Sequence, residues 1–492
     1  MGQLDDGRPR RTGAARRIYL DLRDQIGAGV YAPGDRLPSS RTLADELGVS
    51  RTTVTAAFDQ LVSEGYVTSH QGAASVVSDM TRPGTLRGRQ VEHRLPLPLS
   101  DYAARLMELP IHYPTRQKGL EFDFRYGDIA SADFPTLLWR RAMNAALLRR
   151  RDSLSYEHPA GSAALRQQLQ GYLWRGRGIR CDVDQIIVVS GSQQALDLCA
   201  RVLVNIGDRV ILEDPCYAMA RNVMAAAGAD IVAVSCDNSG LLVEELPHQE
   251  KSALAFVTPS HQFPLGGVLP QSRRDALLQW AYSVGAYIVE DDYDGEYRYD
   301  VKPIPPLFQS DQDRVIYIGT VSKTLSPTLR LGYLVIPRPL INVFTRCKQL
   351  ADRHSASLEQ EALAILLDTG SYERHVRKMR RSNAERRAAL IAALTSCFGE
   401  KIDIVGTSAG LHVVAWFRNI GARHEARLIE IARAAGIGIY PVSPLYLERK
   451  PVVAGLVLGY AALTPEELRQ GVEKLASAID SFAARARDEN KG

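Results

Sequence analysis

The sequence is poor in cysteine and contains no long apolar segment. Its six cysteines show neither a CxxC pair nor another metal-ligand spacing, and they are sparse for a disulfide framework in a chain of 492 residues. No uninterrupted apolar run reaches the length of about 18 residues that crosses a bilayer. The charged N-terminus has no apolar segment behind it. These absences predict a soluble, cytoplasmic protein without a structural metal or an export signal.

A large excess of either charge is also lacking. The 60 lysines and arginines nearly balance the 56 aspartates and glutamates, which leaves a net charge of +4. Such a balance neither requires nor excludes a nucleic-acid partner, because a small basic domain is diluted by a large neutral one. The length suggests roughly two or three domains at about 150 residues each.

Periodic apolar residues near the N-terminus predict three short helices. The first runs through Ile18 and Ile26, before glycines and a proline interrupt the spacing. The second has Ser39 or Ser40 as its N-cap, and the third, RTTVTAAFDQLVSEG, follows a short turn that ends in Ser50 as N-cap. Two short helices joined by such a turn are typical of a helix-turn-helix. The following YVTSHQGAASVVS predicts a β-hairpin wing.

The predicted third helix has short polar side chains around one arginine at its N-terminus. A recognition helix contacts base edges with such positions, and arginine is the usual reader of guanine in the major groove. Serine hydroxyls and N–H groups at helix N-termini suit phosphates. The same helices are also compatible with a peptide-binding or dimerisation module. On the DNA hypothesis the contacting residues are Ser39, Ser40, Arg41, Ser50, Arg51, Thr52 and Thr53.

The stretch GDRLPSSRTLADELGVSRTTVTAAFDQLVSEGYV resembles the winged helix of GntR-type bacterial regulators. The resemblance implies a winged helix-turn-helix DNA-binding domain over residues 14–79. Its wing reads SHQGAASVV where the family usually has an arginine and a Gly-Ser-Gly tip, so minor-groove contact by the wing is not predicted. Residues 80–118 are rich in proline and arginine without sustained periodicity, which predicts a basic linker.

The remaining residues, 119–492, alternate short apolar runs with helical stretches. The runs QIIVVS, DRVILED, ALAFVTP, AYIVEDD and RVIYIGT predict a mostly parallel sheet that is covered by helices. From about residue 371 the runs GLHVVAWF and VVAGLVLGYAAL between helices predict a smaller C-terminal α+β lobe. The fold class predicted for the whole chain is therefore α/β with a small N-terminal winged helix.

Three of the predicted strand ends carry side chains suited to a ligand. VVSGSQQALDL places Ser192 and Gln193 at a helix N-terminus, where N–H groups bind phosphate, although a plain turn has the same pattern. VILEDPCYAMA places Tyr217 at the carboxyl edge of the sheet, where open α/β folds bind ligands. AYIVEDDYDGEY adds Asp291 and Tyr293, a carboxylate and a phenol that suit a pyridine ring, a Mg²⁺ ion or solvent.

A fourth strand end, RVIYIGTVSKTLSPTLRLGY, carries a lysine. It brings Thr320, Ser322 and Lys323 to the same edge, and Arg330 follows seven residues after the lysine. A buried lysine of lowered pKa forms a Schiff base with an aldehyde cofactor, whose phosphate is neutralised by arginine and hydroxyls. A lysine, an aspartate under a pyridine nitrogen, a stacking ring and a phosphate loop are the parts that pyridoxal 5′-phosphate (PLP) requires. The four strand ends together predict a PLP site.

The order of these motifs resembles the fold-type I, class I/II aminotransferases from about residue 120 to the C-terminus. The resemblance implies that Lys323 forms the Schiff base with PLP, Asp291 pairs with the pyridine nitrogen, Tyr293 donates to O3′ and Tyr217 stacks on the ring. LSYEHPAGSAALR resembles the stretch whose tyrosine, here Tyr156, reaches the phosphate held by the other subunit of a homodimer. The cofactor-binding residues implied are Ser192, Gln193, Tyr217, His261, Asp291, Tyr293, Thr320, Ser322, Lys323, Arg330 and Tyr156.

The sequence departs from the aminotransferases in three places. VTPSHQFPLGG lacks the usual Asn-Pro pair, which leaves His261 or Gln262 to contact the ring oxygen. The spacing from Lys323 to Arg330 is one residue shorter than the common pattern. In GLVLGYAAL, Val457 stands where these enzymes place the arginine that clamps the substrate α-carboxylate. Without that clamp an amino acid is poorly held for transamination.

A GntR-type winged helix, a basic linker and an aminotransferase-like domain in one chain resemble the MocR/GabR family of bacterial regulators. The resemblance implies a homodimeric, PLP-dependent transcription regulator that binds double-stranded DNA at paired half-sites and senses an amine, an amino acid or PLP itself. Two alternatives stay open: a PLP-dependent aminotransferase with an accessory DNA-binding head, and a regulator that has lost its cofactor. The missing arginine weighs against the first, although a residual half-reaction stays compatible with the motifs.

Overall fold

The computed structural model describes residues 13–69, 74–79, 98–110, 119–149, 155–248, 250–300 and 305–489, with side chains as far as residue 480. These residues belong to two compact units, one within Met1–Pro98 and one within Leu99–Gly492. No helix in the described ranges is long and apolar enough to cross a membrane. All six cysteines lie in these ranges, and all are free thiols.

The described part of the first unit contains three helices and a two-stranded antiparallel hairpin. They are α1 (Ala14–Gly27), α2 (Ser40–Leu47), α3 (Arg51–Ser63), β1 (Val67–Thr68) and β2 (Val76–Val77). Their apolar side chains meet in one core, which includes Ile18, Leu22, Ile26, Leu43, Val54, Phe58, Leu61, Val67 and Val77. The predicted winged helix is confirmed, and residues 70–73 at the tip of the wing lie outside the described residues.

Serine caps set the starts of α2 and α3. Ser39 Oγ accepts a hydrogen bond from the Thr42 amide at 3.1 Å, so Ser39 is the N-cap and the helix itself begins at Ser40. Ser50 caps α3 in the same way. Between the two helices Gly48 has a φ of 62°, the left-handed conformation in which helices commonly end on glycine. The two serine caps and the left-handed glycine together produce the helix-turn-helix.

The second unit begins with a helix that the sequence pattern did not predict. α4 (Asp101–Glu108) lies inside the segment 80–118, for which a linker was predicted. Ser100 caps it, and Arg105 Nε donates to the carbonyl oxygen of Ala226 at 3.0 Å. Residues 101–108 therefore form a helix, where the sequence predicted an irregular linker, and none of them is fully buried. Residues 80–97 and 111–118 lie outside the described residues.

An eight-stranded mixed sheet organises the large domain. Its strands are β4 (Ile186–Val189), β5 (Arg209–Asp214), β6 (Asp230–Asp237), β7 (Gly240–Leu241), β8 (Leu254–Val257), β9 (Tyr287–Asp292), β10 (Val315–Thr320) and β11 (Gly332–Val335). Their spatial order is β4-β11-β10-β9-β8-β5-β6-β7. All strands run in one direction except β11 and β7, so the predicted mostly parallel sheet is confirmed.

Helices cover both faces of this sheet. They include α5 (Thr136–Leu148), α6 (Ala163–Arg177), α7 (Ser192–Leu203), α8 (Ala218–Ala227), α9 (Gln271–Val284), α10 (Leu307–Ser310), α11 (Ile341–Asp352) and α12 (Ser357–Asp368). Side chains alternate along a strand, so Ile186 and Val188 join one core while Ile187 and Val189 join the other. Burial of both faces explains why the strands are continuous apolar runs.

The C-terminal lobe is α+β, as predicted. Its antiparallel sheet has the order β12-β13-β16-β15, from the strands β12 (Ile402–Val405), β13 (His412–Gly421), β15 (Tyr440–Pro441) and β16 (Val453–Gly459). Its helices are α13 (Ser371–Phe398), α14 (Glu425–Ala434) and α15 (Pro465–Glu489). A parallel pair of β3 (Phe122–Asp123) and β14 (Ile437–Gly438) also brings the start of the domain into the lobe, which the sequence did not predict.

Candidate cofactor site and DNA-reading helix

Five strand ends meet at one edge of the large sheet. The segments 190–192, 214–217, 258–263, 291–293 and 320–323 follow β4, β5, β8, β9 and β10. Because strands of one direction end at the same edge, the four motifs predicted from the sequence converge there, and the segment after β8 joins them.

Lys323 lies in this convergence beneath a segment from the start of the domain. Its Nζ donates a hydrogen bond to the Gly127 carbonyl oxygen at 2.8 Å. Gly127 has a φ of +90°, and a Cβ atom there would lie 3.1 Å from the amine. Burial lowers the pKa of Lys323, and nearby aspartates partly oppose that effect. A lowered pKa leaves more of the amine neutral, which is the form that attacks an aldehyde.

Asp291 provides the test of whether a pyridine cofactor fits. Its side chain is buried, and Oδ1 has no hydrogen-bond partner among the described residues. Burial, with added repulsion from Asp292 and Asp294, raises the pKa of Asp291 to about 8. A buried carboxyl without a partner is costly, and a protonated pyridine nitrogen would supply the missing partner and charge. The donor set therefore fits PLP.

Tyr293 and His261 form a polar pair next to this carboxyl. His261 Nδ1 lies 2.9 Å from the Tyr293 hydroxyl and 2.9 Å from Asp294 Oδ2, while the buried Nε2 has no partner in the described part of the chain. Gln262 instead donates to the Pro215 carbonyl oxygen at 2.8 Å. Of the two residues predicted for the ring-oxygen contact, only His261 thus lies beside Tyr293.

Aromatic rings surround this pair, and the sequence reasoning missed most of them. The Phe263 ring stands edge-on to Tyr217 at 5.9 Å and to Tyr293 at 6.0 Å, and it also packs against Tyr126 at 5.5 Å. The sequence predicted Tyr217 as the ring that stacks on the cofactor, and Tyr217 lies within this group of rings. Phe263 had a usable signal, since it occupies the place before proline where aminotransferases have asparagine.

The predicted phosphate ligands gather at the N-terminus of α7. Arg330 Nη2 donates to the Ser190 carbonyl oxygen at 2.6 Å, and a Cβ atom on Gly191 would lie 3.0 Å from its guanidinium. Thr320 Oγ1 donates to Ser322 Oγ at 2.9 Å. Ser192 and Gln193 form the first turn of α7, whose N–H groups and positive dipole end favour an anion.

Tyr156 has different surroundings. Its side chain is 69% exposed, and the Arg353 guanidinium lies 3.8 Å from the centre of its ring. The His354 ring packs edge-on at 6.0 Å. These contacts join Tyr156 to the end of α11, rather than to Lys323 or Asp291 of the same chain.

A buried ionic cluster supports the end of β9 from the opposite face. Arg177 contacts Asp292 at 3.2 Å and Glu296 at 3.1 Å. The Tyr317 hydroxyl donates to Asp292 at 2.8 Å. The two carboxylates raise the pKa of Arg177 well above its usual value in spite of burial, which keeps the guanidinium charged. The cluster thus holds the strand that carries Asp291.

In the first unit the seven predicted DNA contacts lie together at the N-terminal ends of α2 and α3. Ser39, Arg41, Ser50, Arg51 and Thr52 are exposed, and the other two, Ser40 and Thr53, are partly exposed. Arg51 Nε donates to Ser40 Oγ at 3.3 Å, which links the two helix ends. The arrangement presents two arginines, Arg41 and Arg51, among hydroxyls, which suits the reading of a major groove.

Comparisons with known proteins agree with both predicted domains. Residues 128–475 match the family Aminotransferase class I and II, and residues 14–77 match Bacterial regulatory proteins, gntR family. The probable rhizopine catabolism regulatory protein MocR of Rhizobium meliloti is 35% identical over 94% of this chain and 93% of its own length. The uncharacterized HTH-type transcriptional regulator YdeL of Bacillus subtilis is 33% identical over 94% and 96%.

The chain belongs to the HTH-type transcriptional regulators that carry a class I and II aminotransferase domain. Among solved structures, the α-aminoadipate aminotransferase LysN of Thermus thermophilus, complexed with N-(5′-phosphopyridoxyl)-L-leucine, is 28% identical. It has a TM-score of 0.69 and covers 78% of this regulator and 98% of its own chain. The fold and the donor set around Lys323 and Asp291 both support PLP as the cofactor of this regulator.

Proposed function

We propose that this regulator is a cytoplasmic homodimer that holds PLP on Lys323 and changes its affinity for an operator when a small amine, or PLP itself, binds. The observation that carries the proposal is the unpaired buried Asp291 carboxyl beside Lys323, in a chain that also carries a winged helix. A chain that combines a cofactor site with a DNA-binding domain fits the role of a sensor.

Each residue at the sheet edge has a separate task in this proposal. When bound, PLP supplies an aldehyde carbon that a lysine amine holds covalently. With the cofactor bound, Asp291 would keep a proton on the pyridine nitrogen, Tyr293 and His261 would hold the ring oxygen, and Tyr217 would pack against the ring. The phosphate ligands are Ser192, Gln193, Thr320, Ser322 and Arg330, with the partner subunit's Tyr156.

Exposed apolar side chains support the homodimer. Leu137, Leu147 and Leu148 on α5 are 60%, 60% and 83% exposed, and Leu350 on α11 is 89% exposed. Large exposed apolar side chains that lie together mark protein–protein interfaces. Tyr156 stacks against the end of the same helix α11, so an interface here would also carry Tyr156 toward a second subunit. Analytical ultracentrifugation should give a dimer, and a monomer at micromolar concentration would contradict the proposal.

Dimerisation also explains how ligand binding in the aminotransferase-like domain changes the affinity for DNA. Two winged helices on one dimer read paired half-sites, and their relative placement decides which spacing fits. A coupling free energy of about 1–3 kcal/mol between effector and operator changes DNA affinity by about 5- to 150-fold. The coupling can be measured by titrating a promoter fragment with the protein in the presence and absence of PLP.

The cofactor assignment is tested by replacing the lysine. The purified protein with PLP should absorb visible light, and Lys323→Ala should lose covalently held PLP, detected by borohydride reduction and mass spectrometry. Lys474→Ala, which removes a half-exposed surface lysine paired with Glu121, is the matched control and should stay loaded. A colourless wild type after incubation with PLP would contradict the proposal and favour a regulator without cofactor.

The DNA-reading helix is tested at its arginine. Arg51→Ala should weaken operator binding by about 5- to 150-fold, because a good base contact contributes about 1–3 kcal/mol. Dimerisation and the visible colour should not change. Arg427→Ala, which removes one exposed positive charge from α14, is the charge-matched control. Equal operator affinity of both variants would count against α3 as the recognition helix.

A working aminotransferase is the second candidate, favoured by the presence of both Lys323 and Asp291. Val457 weighs against it, because no guanidinium is available there for the substrate α-carboxylate. Multiple turnovers with an amino donor and a keto acceptor would establish this activity. A single half-reaction at most is expected.

A further inference from the structure

A buried lysine on α11 lies outside the predicted cofactor contacts. The Lys348 side chain is fully buried, and its Nζ donates to Asp352 Oδ1 at 2.6 Å and to Ser355 Oγ at 3.1 Å. Burial lowers the pKa of Lys348, and the bond to Asp352 opposes that effect. A buried ion pair contributes little net stability, so a purely stabilising role does not account for this one.

Asp352 joins the lysine to the phosphate loop. Its second oxygen, Oδ2, accepts from Gln194 Nε2 at 2.9 Å, and Gln194 Oε1 accepts from the Ser190 amide at 2.8 Å. Ser190 lies between β4 and α7, and its carbonyl oxygen accepts from Arg330 at 2.6 Å. Side chains therefore hold both backbone groups of Ser190. We call Lys348, Asp352 and Gln194 the support network.

The chemistry of its members fixes the direction of every hydrogen bond in the support network. The Lys348 ammonium can only donate, and the Asp352 carboxylate accepts from it and from the amide nitrogen of Gln194. The Gln194 oxygen is then the atom that faces the Ser190 N–H. A change at the end of α11 therefore reaches the backbone that leads into α7.

The position of Asp352 is unfavourable for α11 itself. It is the last residue of the helix, where a negative charge opposes the helix dipole. A lysine four residues before an acid is also the weaker order for a helical ion pair. The next residue, Arg353, has a φ of 62°, which side chains other than glycine rarely adopt. Helix stability thus does not explain this carboxylate, whereas its contact with Gln194 does.

We propose that Lys348 and Asp352 are positioning residues: through Gln194 they fix the Ser190 peptide, and with it the N–H groups at the start of α7 that would bind the PLP phosphate. The proposal rests on the proposed function, since it concerns the same cofactor site. Ser190 follows β4, whereas the proposed ring contacts follow β5, β8 and β9. The support network therefore acts on the phosphate end of the cofactor and not on its ring.

Replacement of the carboxylate tests the support network. Asp352→Asn places an amide donor against Gln194 Nε2, and a flipped Gln194 amide would only transfer the mismatch to the Ser190 N–H. PLP affinity should fall by about five- to tenfold, because hydrogen bonds that hold the phosphate loop are lost. Pyridoxal, which has the aldehyde and the ring but no phosphate, should keep its affinity within about twofold. Absorbance titration of the full-length protein after removal of its cofactor measures both affinities.

Asp197→Asn is the matched control. Asp197 lies on α7 and pairs with Arg201 four residues later, and its side chain is 30% exposed, against 26% for Asp352. The substitution removes the same charge and leaves the support network intact, so both affinities should match the wild type. The proposal is overturned if Asp352→Asn weakens PLP and pyridoxal equally, if it weakens neither, or if Asp197→Asn weakens PLP as much.

Gln194→Met is the second variant, for use if Asp352→Asn does not fold. It keeps the side-chain length and leaves the Lys348–Asp352 pair in place. The same selective loss of PLP affinity is expected. The double variant should lose no more than the more damaging single substitution, because both break one network. Additive losses would contradict the support network.

Phosphorus NMR gives a readout that does not depend on pyridoxal binding. The phosphate resonance of PLP held on the full-length protein should move toward that of free PLP in Asp352→Asn. It should stay at the wild-type position in Asp197→Asn. Equal resonances in the wild type and both variants would overturn the proposal, since the phosphate would then have the same surroundings in each.

The outcomes separate this inference from the proposed function. If the wild-type protein holds no PLP, the proposed function fails, and the inference that rests on it fails as well. If the wild type and Asp352→Asn hold PLP with equal affinity, the support network is refuted and the cofactor assignment stands.

Discussion

The large sheet and the C-terminal lobe differ in the charges that they carry near Lys323. The sheet edge carries Lys323, the buried Asp291 carboxyl and Arg330, each proposed for one part of PLP. The lobe has Val414 and Val457, both fully buried among other apolar side chains. An aminotransferase needs charged groups on both sides, one set for the cofactor and one for the substrate carboxylate.

The difference shows that holding a cofactor and clamping an amino acid depend on separate elements. The proposed cofactor residues lie at the ends of β4, β5, β9 and β10 of the large sheet, whereas Val414 and Val457 lie on β13 and β16 of the lobe. A substitution on β16 therefore changes which compound fits without moving the sheet edge. Such a division allows an enzyme fold to serve as a sensor, because the ligand still meets the cofactor but is not positioned for turnover.

The largest loss of PLP affinity should follow from removal of the Asp291 negative charge. Asp291→Asn removes the negative charge that pairs with the pyridine nitrogen, and breaking a buried ion pair costs about 3–5 kcal/mol. PLP affinity should therefore fall by at least about 100-fold, measured by equilibrium dialysis. Asp403→Asn, on the half-exposed pair with Arg418, is the matched control and should keep wild-type affinity. A loss of PLP affinity below tenfold would mean that cofactor binding does not depend on this charge.

The same variant should alter the pH dependence of the cofactor-free protein. Burial raises the pKa of Asp291 to about 8, while an unfolded aspartate has a pKa of about 4. The folded state then binds more protons than the unfolded state between these values, so stability falls as pH rises from about 4 to about 8. Asp291→Asn should make this fall shallower in melting temperatures recorded over that range.

Part of the slope should persist in the variant. Burial also raises the pKa of Glu213 and that of Glu290 to about 7, and these carboxyls act in the same direction. Lys323 stays close in both proteins, so the difference between the two curves isolates Asp291. Parallel curves for wild type and variant would contradict an unpaired carboxyl at this position.

Much of the sheet edge could be predicted from the sequence because its chemistry is local. Asp291 lies at the end of an apolar strand, and Tyr217 and Lys323 follow one within three residues, so strand periodicity brings them to one edge. Their individual roles still rest on the resemblance and remain predictions. The winged helix was predictable for the same reason, since caps such as Ser50 lie next to the helix that they start.

Contacts between distant parts of the chain could not be predicted. Gly127 accepts the Lys323 hydrogen bond across 196 residues of sequence, through the pairing of β3 with β14 in the lobe. The rings of Tyr126 and Phe263 meet only because that segment returns to the sheet edge. α4 was missed for a different reason, since it is only eight residues long and lies in a segment whose prolines and arginines indicated a linker.

The smallest predicted effect concerns the Tyr293 hydroxyl, which lies beside His261. Tyr293→Phe removes the group 2.9 Å from His261 Nδ1 and keeps the ring that packs edge-on to Phe263. One hydrogen bond contributes about 0.5–1.5 kcal/mol, so PLP affinity should fall by about two- to twelvefold, with a shifted pH titration of the visible band. Tyr282→Phe, at a ring that is 53% exposed, is the control. If Tyr293→Phe lowers PLP affinity as much as Asp291→Asn does, the cofactor is held by the whole polar network rather than mainly by the Asp291 charge.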